Sequence, residues 1–270
     1  MTTYLDHILV AHRETASLDG RSLEGLLDSA SSGEPPRGFI QALAGGTPDE
    51  IAVIAEVKRR SPSRGYLDTG LDPATVAGQY ATGGAACLSV LTDESFFDGS
   101  AGDLRAARLA VDLPVLRKDF TVDARDVCDA RIMGADAVLL IVAALDDLEM
   151  ADFHALSTEL GMDTLVEVHD ESELERALAI GASLVGVNQR DLVTFEVDPG
   201  RAIRMAPLIP EGVVRVAESG IKDETAALAL KQAGYHALLV GEALVTAGDR
   251  AAAVRALSQL VGDRTAGDPD

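Results

Sequence analysis

The sequence predicts an α/β fold closed into a (β/α)8 barrel, with an N-terminal helical extension ahead of it. Three observations lead there. Eight short apolar or β-branched runs recur between residues 51 and 240, each nearly continuous in hydrophobicity, as strands buried on both faces require. Helix-like stretches separate them, and eight repeats of strand and helix indicate a parallel sheet closed on itself. No GxGxxG loop follows the first run, as an open doubly wound sheet would more often show.

The elements follow in order. Residues 1–50 form the extension: Leu5, Ile8 and Leu9, then Leu23, Leu26 and Leu27, keep helical spacing and predict two short amphipathic helices. SSGEPPRG at 31–38 is a loop by composition. Residues 51–262 form the barrel, with strands expected at 51–57, 86–91, 114–118, 137–142, 164–168, 184–188, 213–217 and 237–240. Helices such as 145–160 and 223–233 lie between them. Gly134, Gly181 and Gly234 stand just before a strand, where a left-handed glycine stops a helix. Residues 263–270, DRTAGDPD, read as a frayed polar tail, and the whole as a single structural domain.

Composition removes several function classes. The 270 residues carry a formal charge of −21, which disfavours duplex nucleic acid and anionic membrane, since both demand a basic face. Aromatics at 4%, without tryptophan, argue against a stacking platform for single strands. The longest apolar run, AVLLIVAAL at 137–145, is too short to span a bilayer, and MTTYLDHILVAHRE lacks the apolar core of a signal peptide. A cytoplasmic location is expected. Cys87 and Cys128 stand 41 positions apart and suggest neither a disulfide scaffold nor zinc; Cys87 reads as a small buried hydrophobe. The five histidines show no metal-ligand spacing, so no metal is proposed, and His169 reads as a loop residue or a neighbour of Glu167.

Active sites of such barrels lie at the C-terminal ends of the strands, and those ends converge chemically here. Strand one ends in Glu56 and Lys58, strand three in Lys118, strand five in Glu167, strand six in Asn188 and Arg190, and strand seven in Glu218. Glu56 and Lys58 share a face by strand parity. A carboxylate facing an apolar barrel is costly unless paired, so Glu56, Lys58, Lys118, Glu167, Asn188 and Glu218 predict a mutually compensating cluster rather than scattered salt bridges. The chain has 4 Lys against 19 Arg, yet two of the four, Lys58 and Lys118, end strands. Unlike arginine, a buried lysine can lower its pKa and donate a proton, which suggests proton transfer. Ser219-Gly220-Ile221 and Gly241-Glu242-Ala243 follow strands seven and eight, where barrels bind phosphate through backbone N–H groups; Ser61 joins them from the first loop.

These segments closely resemble the indole-3-glycerol phosphate synthase family of tryptophan biosynthesis. The resemblance rests on IAEVKRRSPSRG (54–65), LSVLTDESFFDGS (88–100), VLRKDF (115–120), ADAVLLIVAAL (135–145), LVEVHDE (165–171), GVNQRDL (186–192), VAESGI (216–221) and LVGEAL (239–244). It implies a (β/α)8 TIM barrel whose N-terminal helices lie over the rim, and a carboxy-lyase that needs no cofactor. The implied reaction converts 1-(2-carboxyphenylamino)-1-deoxyribulose 5-phosphate to indole-3-glycerol phosphate, carbon dioxide and water.

By that resemblance Lys118 is the general acid and Glu167 a general acid/base. Lys58 binds the substrate carboxylate or assists dehydration, and Glu56, Asn188 and Glu218 orient these groups and hold sugar hydroxyls. Phe97, Phe120, Leu139 and Leu192 hold the aromatic ring; Ser61, Ser219, Gly220, Gly241 and Arg190 complete the substrate and phosphate contacts. Ala243 stands where many relatives carry serine, which removes one hydroxyl; Gln189 and Phe195 receive no role.

A sugar-phosphate isomerase on the same fold, such as phosphoribosylanthranilate isomerase, is a poor fit, because it pairs a cysteine at the end of strand one with an aspartate. A non-catalytic sugar-phosphate-binding barrel is the rival from another class. The expected partner is a small phosphorylated molecule; the chain reads as a monomer with at most weak association with pathway enzymes. Lys58, Arg59, Arg60 and Arg64 against Glu56, with Lys118 and Arg190, predict a basic island on an acidic body.

Overall fold

The computed structural model describes residues 3–45, 50–62 and 64–260; the predicted tail at 263–270 lies outside them. Eight parallel strands close the barrel: β1 (Ala52–Val57), β2 (Cys87–Leu91), β3 (Val115–Lys118), β4 (Ala137–Ile141), β5 (Asp163–Val168), β6 (Leu184–Asn188), β7 (Val214–Glu218) and β8 (Ala237–Val240). Each lies within two residues of its predicted run. Closure is made by β1 against β8, from Ala52↔Ala237 to Ala55↔Val240. β2, β4 and β6 are buried along their whole length, and Leu88, Leu139 and Leu184 belong to the core. Gly134, Gly181 and Gly234 have φ of 95, 79 and 94°, the left-handed helix stops the sequence required.

The extension contains α1 (Tyr4–Leu18), α2 (Leu23–Ser31) and a third helix, α3 (Phe39–Ala44), one more than the periodicity predicted. Six residues are too few to display a helical period. α1 lies across the C-terminal rim: His12 meets Asp93 beyond β2, and Arg13 donates to the Ala144 carbonyl beyond β4. Tyr4 packs edge-on against Phe96 and Phe195, with ring centroids 5.9 and 5.2 Å away. α3 closes the opposite end, where the Ile40 N–H donates to Asp163 at the start of β5 and the Cys87 thiol approaches the Phe39 carbonyl. Between them, α2 packs on the barrel helix Ala124–Met133. Beyond β1 the first loop folds into a small antiparallel ladder, Arg60–Ser61 against Gly65–Tyr66.

Candidate active site

A cavity of about 650 Å³ opens at the C-terminal end of the strands. Every residue that the sequence nominated lies on its wall: Glu56, Lys58, Ser61, Phe97, Lys118, Phe120, Leu139, Glu167, Asn188, Arg190, Leu192, Glu218, Ser219, Gly220 and Gly241. Period-two alternation explains the strand residues Glu56, Lys118, Glu167, Asn188 and Glu218, since closure turns one face of every strand inward; the loop residues and the apolar ring contacts follow from the loops after the strands and from the family resemblance.

One wall is ionic. Lys58 pairs with Glu56, and Lys118 Nζ stands 3.4 Å from Glu167 Oε2. Asn188 Nδ2 donates to Glu167 Oε1 at 2.9 Å, while its own Oδ1 accepts the Arg190 N–H at 3.0 Å. Glu56, Glu167 and Glu218 retain only 4, 1 and 2% of their surface, and Glu167 and Glu218 titrate as a pair.

Burial alone would strip the proton from Lys118, as its position suggested. Glu167, Glu218 and Glu56 outweigh burial, and Lys118 is held above the ordinary lysine range as an ammonium. The lowered lysine pKa expected from the sequence is therefore corrected: the surrounding carboxylates decide the sign. Burial pushes Glu167 upward, but Lys118, His169 and Asn188 reverse it and keep a carboxylate. Glu218 goes the other way: burial and the negative charges of Glu167 and Glu56 raise it well above the carboxylate range, against Lys118. Its neutral form is thereby favoured, and Glu218 Oε1 is buried without a hydrogen-bond partner among the described residues. The same surroundings thus push two neighbouring carboxyl groups in opposite directions, Glu167 downward and Glu218 upward.

Two glycines make this packing possible, and the sequence exposed the reason for neither. Gly186 lies opposite Glu167 in the β5–β6 register, and a Cβ there would collide with Glu218 Oε1. Gly241, nominated for phosphate, also makes room for the Glu56–Lys58 pair: a Cβ would strike Glu56 Oε1 and lie 3.0 Å from Lys58 Nζ.

The far end of the cavity has unusual backbone. Ser219 and Gly220 adopt φ of 65 and 74° in succession after β7, and the Ser219 carbonyl accepts a hydrogen bond from Gln189 Nε2 at 2.8 Å. The short helix Glu242–Val245 begins at Gly241, and its first N–H groups have no partner within the helix. Across the cavity, Phe97 and Phe120 lie 6.2 Å apart beside Leu139 and Leu192. Phe195, left without a role by the sequence, joins this wall because its φ of 60° folds the loop beyond β6 over the mouth. The Arg190 guanidinium secures that loop by donating to the Phe195 carbonyl at 3.0 Å.

The predicted basic island is also corrected. Arg59 turns outward to Asp103 and Arg60 lies over the Tyr66 ring, and neither lines the cavity. Lys58, Arg64, Lys118, Arg190 and Lys222 face Glu56, Asp119, Glu167, Glu218 and Glu242, so the site is near charge balance within an acidic body. At the rim, His12, Asp93 and Asp119 bring ligand atoms within 4.8 Å of one another. Thr92 and Arg117 already donate to Asp119 Oδ2, and the group ties α1 to the loops beyond β2 and β3. Among the described residues no helix is long and apolar enough to cross a membrane.

Comparison with known proteins agrees with this geometry. The family model for indole-3-glycerol phosphate synthase matches residues 6–257. The chain is 50% identical over 250 residues to the indole-3-glycerol phosphate synthase of a Nocardioides species, covering 92% of this chain and 93% of that one. It is 52% identical over 233 residues to that of Micrococcus luteus, covering 86 and 87%. Among solved structures, a thiamine phosphate pyrophosphorylase from Pyrococcus furiosus superposes with a TM-score of 0.59 at 15% identity, over 78% of this chain and 95% of that one, a likeness of fold alone. With the family model spanning nearly the whole chain and relatives at half identity, the chain belongs to the indole-3-glycerol phosphate synthase family.

Proposed function

We propose that the cavity takes 1-(2-carboxyphenylamino)-1-deoxyribulose 5-phosphate and closes its indole ring with loss of carbon dioxide and water, Lys118 acting as general acid and Glu167 as acid/base. The observation that supports this best is the geometry of one cavity wall: Lys118 Nζ 3.4 Å from Glu167 Oε2, Asn188 Nδ2 2.9 Å from Glu167 Oε1, and the Lys58–Glu56 pair beside them.

The chemistry asks for such a wall. Attack of the aromatic carbon on the ketone needs a proton donor at the ketone oxygen, and Lys118 enters with its proton in place. Departure of the carboxylate restores the aromatic ring; Lys58, held by Glu56, is the cation for that group. Elimination of the hydroxyl then requires an acid and a base within reach of one another, as Lys118 and Glu167 are at 3.4 Å. Glu218 and Asn188 orient Glu167 and offer hydrogen bonds to sugar hydroxyls. Phe97, Phe120, Leu139 and Leu192 suit the anthranilate ring. Ser61, Ser219, Gly220 and Gly241, with Arg190, suit the phosphate end.

The test is direct. Incubating the purified chain with this substrate should generate indole fluorescence, over a low background because the chain has no tryptophan. Lys118→Ala should lose at least about a thousandfold in kcat while still folding. Normal turnover in that variant would overturn the acid assignment. Binding without turnover by the unaltered chain would favour a non-catalytic sugar-phosphate barrel.

A further inference from the structure

We propose that His169, clamped by Glu173, is a positioning residue whose imidazolium holds Glu167 in its carboxylate form; this rests on the assignment of Glu167 as base. His169 is the first residue beyond β5, two positions after Glu167. Its backbone N–H donates to Glu173 Oε2 at 2.7 Å, and its Nδ1 lies 3.0 Å from the same oxygen. Glu173 is itself fixed in the first turn of the helix Glu171–Ala179, where its N–H donates to the Asp170 side chain. A carboxylate only accepts, so Nδ1 must carry a hydrogen.

That clamp aims Nε2 at the reaction centre. Nε2 stands 3.5 Å from Glu167 Oε1 and makes no hydrogen bond among the described residues, although it is buried. The imidazole does not line the cavity, so it acts through Glu167 and not on substrate. Glu167 Oε1 therefore lies between two groups, Asn188 Nδ2 at 2.9 Å and His169 Nε2, while Oε2 faces Lys118. The charged groups facing the imidazole are Glu173 on its own helix, Glu167 on β5 and Arg201 on the helix Arg201–Met205; Lys118 and Glu218 lie beyond Glu167. Burial and Arg201 oppose the imidazolium, but the two carboxylates prevail and His169 titrates above the usual histidine range. It remains cationic where Glu167 titrates. A cation at this distance favours the carboxylate and keeps the base available at lower pH.

The experiment is the pH profile of kcat for the full chain, with KM measured alongside. In His169→Ala the acidic limb should move up by at least about one pH unit, with kcat down about tenfold at neutral pH and KM within about twofold. His169→Gln keeps a donor without the charge; it should recover kcat on the plateau and leave the limb displaced. Glu173→Gln, which preserves the fold around an intact histidine, should move the limb in the same direction by a smaller amount. Limbs that stay put in both His169→Gln and Glu173→Gln would overturn the proposal. Glu167→Gln separates the two levels of inference. If it keeps the wild-type profile, the base assignment fails; if it is inactive while the histidine variants leave the limb unmoved, only the role of His169 fails.

Discussion

Gly186→Ala is the sharpest probe of how the two carboxyl groups are packed. Gly186 sits on β6 opposite Glu167 of β5 and Val216 of β7, and its missing side chain leaves the space that the Glu218 carboxyl occupies. Its φ lies outside the left-handed region, so alanine is allowed by the backbone. The added Cβ would lie 3.2 Å from Leu165 Cδ1 and collide with Glu218 Oε1, the tip of a flexible side chain. The tip must therefore move, by about 1 Å. Stability should change little: the lost unfolded-state freedom of glycine favours alanine by about 0.4–1 kcal/mol, which offsets the squeeze on Leu165.

Activity should change much more, because a displacement of about 1 Å at a functional group costs on the order of a hundredfold, or about 2.7 kcal/mol. The assay is kcat/KM by indole fluorescence beside a thermal melt. Glu218→Asp supplies the control: the shorter side chain clears the new Cβ, so its penalty should be smaller in the Gly186→Ala background than alone. Full kcat/KM in Gly186→Ala, or penalties that simply multiply, would refute the packing argument.

Two further predictions concern stability. Because Glu218 is held neutral by burial and by Glu167 and Glu56, its folded pKa lies above its unfolded value; it favours folding below the unfolded carboxylate range, and that contribution is lost as pH rises toward the folded pKa. Glu218→Gln removes this dependence, so its melting temperature relative to wild type should climb from pH 4.5 to pH 8; a constant difference would contradict a neutral Glu218. At the opposite end of the barrel, Asp136 accepts the Arg37 and Val115 N–H groups at 2.6 and 2.8 Å and pairs with Arg108. Asp136→Ala should cost about 2–4 kcal/mol in chemical denaturation, because it removes a fully buried carboxylate and leaves the Arg37 and Val115 N–H groups and the half-buried Arg108 without their partner, while kcat of the folded fraction stays unchanged.

The barrel was legible in the sequence because its information is local. Two-sided burial writes itself into eight continuous apolar runs, glycine stops precede their strands at 134, 181 and 234, and parity assigns Glu56 and Lys58 to one face. The ionic rim residues follow from strand ends, which is why Glu56, Lys58, Lys118, Glu167, Asn188 and Glu218 reach one cavity; the apolar contacts Phe97, Phe120, Leu139 and Leu192 rest on the family resemblance. α3 escaped because a six-residue helix has no period to display. Phe195 escaped because its place depends on a single left-handed backbone angle in a loop.

What the tertiary structure decided is everything that depends on distances between strands remote in sequence. Lys118 titrates above its ordinary range rather than below it because three carboxylates from β1, β5 and β7 outweigh its burial, and no local pattern records that count. Arg59 and Arg60 left the site because Asp103 and Tyr66 offered partners outside it. Gly186 and Gly241 look like ordinary glycines until Glu218 and Glu56 are seen occupying the space a Cβ would fill. By itself the sequence determined which chemical groups stand at the rim, since periodicity is a property of the backbone. Their charges and contacts were settled only by closure of the sheet, because electrostatics and packing act through space between groups that the chain keeps far apart.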